Sequence, residues 1–474
     1  MNRSSSFTHN TLLFIGGRAI NLALAPLAMI LLPGLLGERG YGQFGYWFSL
    51  ISLYLILLDL GTQPVIRRFV PELHKHPAQA STLVWFSLKL RILPLLLVAA
   101  ALLFTADPKT QWVLLGSALL ASLSTTFADL YYSREYMGRH VYITSARKLL
   151  RLLFVPLFFV LWEIPGILLA LLMAELLAFL LGLPALRLLP KPHAPLTQPY
   201  WYYHRIGLSV FLAYLLYTFI GRAPVLASGW SGMALEEIGR IALVVDLCYF
   251  VLRELVNSIS ESILPRLIQL KTQQRNEEFR RLLKLNYRWV NIVSLYVLAL
   301  GLPLTPTFLL LLGKNYHWAE PQMRYLLLSL PLGAWLIIHN QILIIHGRGN
   351  AILLAQVAGL AMLIGGLGIT RAYWSHEVFV FILLAATTAS SCSAYLLTKT
   401  SEVSMQLVVE SIRILPAALV TGSLLSLWSP RGVGPAVLAI LSGTLIYVLT
   451  LVLCKALNRH DFTAVADAQQ SQHD

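Results

Sequence analysis

The chain has 474 residues, 57% of them hydrophobic and only 12% charged, with a formal net charge of +14. A soluble protein carries roughly a quarter charged residues, so the charge content excludes one or two soluble domains of this length. Apolar runs of about 18 residues or more recur throughout, too long and too uniform for barrel strands, so the solvent is lipid and the spanning elements are helices.

In chain order, the N-terminus "MNRSSSFTHN" holds one Arg, and no small-residue cleavage site follows a short apolar core. No cleavable signal peptide is expected, and the first span stays in the membrane. Fourteen spans are expected, near 11–33, 44–66, 80–104, 112–133, 144–162, 165–188, 206–227, 241–264, 285–312, 321–346, 350–370, 377–398, 407–428 and 433–455. The fifth and sixth are separated only by "EIP", and a count of twelve is the alternative. The expected fold is all-α and polytopic. It comprises an N-terminal six-helix bundle (1–190), a cytoplasmic linker (191–205), a second six-helix bundle (206–400), an extra helix pair (401–458) and a disordered tail (459–474). Six spans per half preserve orientation, so a pseudo-two-fold axis along the membrane normal would relate the bundles.

Cys248, Cys392 and Cys454 all lie within apolar runs. An odd count without pairing pattern reads as buried small hydrophobes, not as disulfides or a metal site. Of the 36 Lys and Arg, 24 fall on segments that are inner if the N-terminus is inner, and six on outer loops. That asymmetry places both termini in the cytoplasm. It also explains the positive charge without nucleic acid, for which no basic patch interleaved with aromatics is present.

"LLGERGYGQFGYW" (35–47) lies between the first two spans and has a partner. "GERGYGQFG" (37–45) follows the first span and "GMALEEIGRI" (232–241) the seventh, with Gly42–Gln43–Phe44 matched by Gly239–Arg240–Ile241. A proline (Pro71, Pro265) and a Gly–Arg (138–139, 347–348) follow in the same order in each half. The opening stretch is read as an outer turn, with Tyr41, Phe44 and Trp47 in the interfacial aromatic belt.

These landmarks, with "LDLGTQPVIRR" (58–68), "LPRL" (264–267), "LGKNY" (312–316) and "HGRGN" (346–350), resemble those of the polysaccharide-transport (Wzx-type, O-antigen) flippases. These belong to the multidrug/oligosaccharidyl-lipid/polysaccharide (MOP) exporter superfamily, and the likeness runs over about residues 11 to 400. The seventh span departs from that family: Gly221–Arg222 stands where Asp–Arg is common, so an ion-coupling role for that Asp does not carry over. The resemblance implies a flippase that moves a polyprenyl-diphosphate-linked oligosaccharide across the inner membrane for O-antigen, lipopolysaccharide or other surface polysaccharide biosynthesis. It implies alternating access, no enzymatic activity, no cofactor, and possible drive by a proton or sodium gradient. Membrane lipids are further partners, and a glycan polymerase or glycosyltransferases of the same route are candidates.

Charged groups at the bilayer centre cost at least ~2.5–3.5 kcal/mol on insertion scales, so each needs a reason. Arg253 lies about 12 residues into the eighth span, roughly 18 Å deep. Asp246, Tyr249, Arg253, Asn257, Ser260 and Glu261 share a face, with Glu254 at its edge. This stripe faces a cavity, or Asp246–Arg253 or Arg253–Glu261 locks helices together. Arg18 and Arg222 occupy the first span of each half. In the resembled family those helices line the central cavity, where cationic side chains meet a pyrophosphate; snorkelling to a headgroup is the alternative for both.

Asp59, with Gln63 on one face of the second span, either contributes to the cavity or pairs with Arg18 or Arg67. Asp129 and Glu175 read first as helix-pairing carboxylates, with ion coupling as the alternative for Asp129. His339, beside Asn340 and Gln341, is a proton relay or a hydrogen-bonded core residue. Lys89 and Arg91 are expected to snorkel from an inner helix end. The run 266–288 is expected to be a cytoplasmic amphipathic helix against anionic headgroups. A drug/cation antiporter of the same superfamily would favour acidic cavity residues. A membrane glycosyltransferase or polymerase would need a larger extramembrane loop.

Overall fold

The computed structural model describes residues 3–456 apart from 74–75, 104–106, 135, 190–193, 251–255, 257–258, 261–262, 265–266, 268–269, 272, 313–318, 347, 371–372, 374, 399–404 and 429–431. The side chains of most residues before Ile30 and of 405–411 are also outside the described set. The described chain is helical, without strands. The helices are α1 (Arg3–Asp59), α2 (Thr62–Glu72), α3 (Pro77–Leu90), α4 (Ile92–Leu102), α5 (Pro108–Ser133), α6 (Met137–Gly182), α7 (Tyr200–Trp230) and α8 (Leu235–Phe250). They continue as α9 (Asn276–Leu312), α10 (Glu320–Leu328), α11 (Leu330–Ile345), α12 (Gly349–Ile369), α13 (His376–Thr398), α14 (Met405–Trp428) and α15 (Val433–Leu453).

Local chemistry sets the boundaries. Pro77 and Pro108 start α3 and α5 at positions where a missing N–H costs nothing. The Asp107 side chain caps α5 by accepting from the Thr110 amide at 3.3 Å. Leu60 and Gly61 both take positive φ and end α1 before α2 begins. Two further breaks fall inside long helices: Gly37 (φ 67°) in α1 and Glu163 (φ 52°) in α6. The second is the expected "EIP" reversal.

Among the described residues, ten helices are long and apolar enough to cross a membrane, and Ile412–Trp428 is a shorter apolar one. One of the ten, Gly138–Leu188, spans 51 residues across the Glu163 break and accounts for both the fifth and sixth expected spans. Large apolar side chains such as Leu96, Leu97, Val160 and Leu441 face outward, while Ser, Thr, Asn and paired charges are buried. That inverted distribution is what a lipid solvent selects, and the protein is a multi-pass membrane protein.

The chain divides into two compact units, Met1–Leu243 and Val244–Asp474. In the first, Ile66, Val70, Val84, Phe127, Leu130, Tyr131 and Ile143 join α2, α3, α5 and α6 in one cluster. In the second, α14 and α15 pack on α9. Tyr447 donates to the Ile292 carbonyl at 2.8 Å, and the Tyr296 and Thr444 hydroxyls meet at 2.7 Å.

The opening stretch differs from the sequence expectation. Its backbone breaks at one residue, Gly37, and Glu38–Asp59 is helix, so 38–45 form no turn. Tyr41, Phe44 and Trp47 are buried rather than set in an aromatic belt. The glycines instead serve helix packing. A Cβ on Gly42 would collide with the Leu235 carbonyl, and one on Gly239 with the Glu38 carbonyl. Arg240 closes this crossing with Glu38 at 3.1 Å. The two repeated landmarks therefore pack on one another. Residues from Asn276 to Arg288 of the expected amphipathic run are likewise continuous with α9, and Arg288 is buried.

Candidate functional site

Besides Glu38 at its crossing with Arg240, the described residues of the first unit include Asp59, Asp129 and Glu175 in apolar helices, and each meets arginine. Asp59 sits where α1 ends. It accepts from the Thr62 hydroxyl at 2.8 Å and from the Gln63 amide at 3.2 Å. Arg91, at the step between α3 and α4, reaches it at 2.9 Å. The same guanidinium donates to the Thr62 hydroxyl at 2.7 Å and to the Ser122 carbonyl and hydroxyl at 3.0 and 2.7 Å. Arg91 is 3% exposed. It does not snorkel, because its donors find protein acceptors where it stands. Of the two partners expected for Asp59, Arg67 pairs elsewhere, and the side chain of Arg18 lies outside the described residues.

Arg67 instead holds Asp129, donating from Nε and Nη2 to the same oxygen, each at 2.8 Å. The Arg67 side chain is 43% exposed while Asp129 is buried. This is a helix-pairing contact between α2 and α5.

The third carboxylate organises a larger group. Glu175, fully buried in the second half of α6, pairs with Arg151 from the first half. Arg147, one turn before Arg151, lies 3.8 Å from the other Glu175 oxygen and donates to the Thr125 hydroxyl at 3.0 Å. The Arg151 guanidinium stands 5.0 Å from the centre of the Phe48 ring, and that of Arg222 stands 5.3 Å from the same centre. Sharing one ring keeps the two cations within about 10 Å of each other, in cation–π range of Phe48.

Depth gives this group its meaning. At ~1.5 Å per residue, Arg151 lies roughly 21 Å from the start of α6. Phe48 is roughly 16 Å past the Gly37 break, and Glu175 roughly 18 Å past the Glu163 break. Each therefore lies several turns from that helix start or break, within segments long and apolar enough to cross a membrane. Arg147, Lys148 and Arg151 all lie in α6, inside the fifth expected span (144–162). The i, i+4 spacing in "SARKLLRLLF" was the available signal that Arg147 and Arg151 share a helix face.

In the second unit, the buried His339 ring meets the Thr398 hydroxyl at 2.8 Å and the Tyr287 hydroxyl at 3.1 Å. Tyr395 packs against it edge-on, and Trp335 donates to Asn291 at 2.7 Å. His339 is thus a hydrogen-bonded core residue in this structure. Asp246 is buried in α8. Arg253, Glu254, Asn257 and Glu261 lie outside the described residues, as does the side chain of Arg18. Ser260 of the same stripe is buried and donates to Asn286 at 3.3 Å. No group of His, Cys, Asp and Glu fit to hold a metal occurs among the described residues.

No family model matches the chain, and no curated protein matches it. Solved transporters do. A lipid II flippase, MurJ, in an inward closed conformation superposes with a TM-score of 0.63 at 11% identity, covering 94% of this chain and 98% of that one. A multidrug resistance MATE family transporter of the MOP superfamily gives 0.62 at 13% identity, covering 82% and 99%. A MOP superfamily transporter from Pyrococcus furiosus, described as having a reversed-polarity binding pocket that suggests a different function, gives 0.52 at 14%, covering 84% and 95%. At these identities the likeness establishes the fold: this chain has the architecture of MOP-superfamily transporters.

Proposed function

We propose that the protein is a flippase that carries a polyprenyl-diphosphate-linked oligosaccharide from the cytoplasmic to the outer leaflet of the inner membrane by alternating access, for surface polysaccharide synthesis. The observation that carries this reading is the pair of guanidinium groups, Arg151 and Arg222, on one aromatic ring within apolar helices long enough to span a membrane. A lipid-linked glycan has an apolar tail, a diphosphate and a polar sugar. Its tail can stay in lipid, but its diphosphate needs cations on the way across. Arginine supplies them in a fork that matches phosphate oxygens. In a low-dielectric setting such groups focus a positive potential.

Asp59 and Asp129, two further carboxylates of the unit's apolar helices, are each paired with another arginine, Arg91 and Arg67. Arg18, Arg253 and Asn257 are proposed as further contacts of the same ligand. Asp246, Glu254, Glu261 and His339 are proposed as places where a proton or sodium gradient is coupled or helices are paired. Glycosyltransferases or a glycan polymerase would supply and consume the cargo.

The competing reading is a drug/cation antiporter, favoured by the likeness to a multidrug transporter. Binding decides between them. The purified protein is expected to bind a polyprenyl-diphosphate glycan at least about tenfold more tightly than its dephosphorylated analogue, a difference of about 1.4 kcal/mol. Arg222→Gln should reduce that preference, and Arg222→Lys should recover part of it. Equal affinity for the two lipids, together with saturable binding of an organic cation such as ethidium, would replace the flippase reading with the antiporter.

A further inference from the structure

The Arg151–Glu175 contact is incomplete. Arg151 Nη2 meets Glu175 Oε1, whereas Arg151 Nε and Glu175 Oε2 are buried atoms without a hydrogen bond. A carboxylate and a guanidinium that belong only to each other close a two-point fork, which is stronger and geometrically tighter than one-point contact. Here Arg151 Nε has no acceptor, and Glu175 Oε2 has only Arg147 at 3.8 Å, beyond hydrogen-bond distance. The guanidinium does not depend on the carboxylate for its position either, because the Phe48 face supports it from another side. Arg147, the second arginine near Glu175, has its own anchor on Thr125.

We infer that Glu175 is a displaceable internal counter-anion: it occupies Arg151 while the site is empty and yields it to the diphosphate of the cargo. This rests on the flippase reading above. An arginine left alone in a low-dielectric interior is costly, and a permanent two-point pair would be too good to give up. A one-point pair meets both demands. A diphosphate brings more charge and more oxygens than one carboxylate, and it can bridge Arg151 and Arg222 across Phe48. When it leaves, Glu175 returns to Arg151 and competes against rebinding. The carboxylate therefore trades affinity for release.

The test uses the full chain in lipid nanodiscs, with a polyprenyl diphosphate as probe and the corresponding polyprenyl alcohol as uncharged control. Glu175→Gln should bind the diphosphate on the order of tenfold more tightly than the wild type, leave the alcohol unchanged, and flip the labelled lipid more slowly in vesicles. Glu175→Asp, which keeps the charge on a shorter side chain, should bind between the wild type and Glu175→Gln. A purely structural carboxylate would not raise affinity when removed. If Glu175→Gln does not accumulate, the charge-balanced Arg151→Gln/Glu175→Gln variant serves instead, and it should bind the diphosphate less tightly than the wild type. Normal diphosphate binding by the wild type with unchanged or weaker binding in Glu175→Gln, or wild-type affinity in the double variant, overturns the inference and leaves the flippase reading standing. A wild type that does not prefer the diphosphate over the alcohol removes both.

Discussion

Arg91 and Arg151 are both arginines within apolar helices of the first unit, and both face a carboxylate. Their surroundings differ. Arg91 donates to Asp59, Thr62 and Ser122, so Nε, Nη1 and Nη2 are all engaged. Arg151 touches Glu175 at one point and leaves Nε without an acceptor. Arg91, at the step between α3 and α4, ties the step between α1 and α2 to the middle of α5. Arg151 lies mid-helix against an aromatic face shared with Arg222. Burial of charge is common to both. A fully bonded group has become part of the scaffold, while a partly bonded one keeps capacity for a ligand.

The comparison breaks most visibly at Arg91. Removing one partner of a buried pair costs about 3–5 kcal/mol, because the other charge is left without compensation. Arg91→Met strands Asp59 and also the Ser122 and Thr62 acceptors. This variant is expected to fail to accumulate, or to unfold far below the wild type in a thermal assay on detergent-solubilised protein. Arg151→Met leaves Glu175 within reach of Arg147 and should lose much less stability. If the two variants are equally destabilised, the distinction between scaffold and site is wrong.

The next effect is on function. Arg151→Gln should accumulate and insert normally, yet lose at least about tenfold in diphosphate-lipid affinity, the loss of a charge-assisted contact of about 1.4 kcal/mol or more. Glycan export in cells should fall with it. Normal export at normal protein level would assign Arg151 to helix packing.

These differences were only partly legible in the sequence. Span positions were, since long apolar runs in lipid leave the backbone one solution, and "EIP" separated the fifth and sixth expected spans where α6 breaks at Glu163. The opening stretch was misread because a glycine at a helix crossing and a glycine in a turn look the same in composition. Only the Leu235 and Glu38 carbonyls opposite Gly42 and Gly239 tell them apart. Arg147 and Arg151 fall in the expected fifth span, but the sequence does not reveal what they meet. Their partner, Glu175, is 24 residues from Arg151 and meets it only after the chain reverses at Glu163. Asp59 stands out in the sequence as an intramembrane charge, but its partner Arg91 is set by the breaks at Leu60–Gly61 and at α3–α4, which no periodicity records. The stripe around Arg253 lies outside the described residues.

The smallest expected effect separates the two arginines through a neutral residue. Phe48 carries no charge and donates no hydrogen bond, yet it faces both Arg151 and Arg222. Cation–π contacts contribute about 0.5–1 kcal/mol at exposed sites and about 2 kcal/mol when desolvated. Phe48→Leu keeps the volume apolar and removes the ring quadrupole, so the guanidinium groups lose orientation but not charge. Diphosphate-lipid binding should weaken about fivefold, corresponding to roughly 1 kcal/mol. Phe48→Tyr, which keeps the face, should remain near the wild type. Thermal stability should change little in either, because Arg91 and its acceptors are untouched. If Phe48→Leu binds as the wild type does while Arg151→Gln does not, the ring is packing alone, and the two cations act without a shared platform.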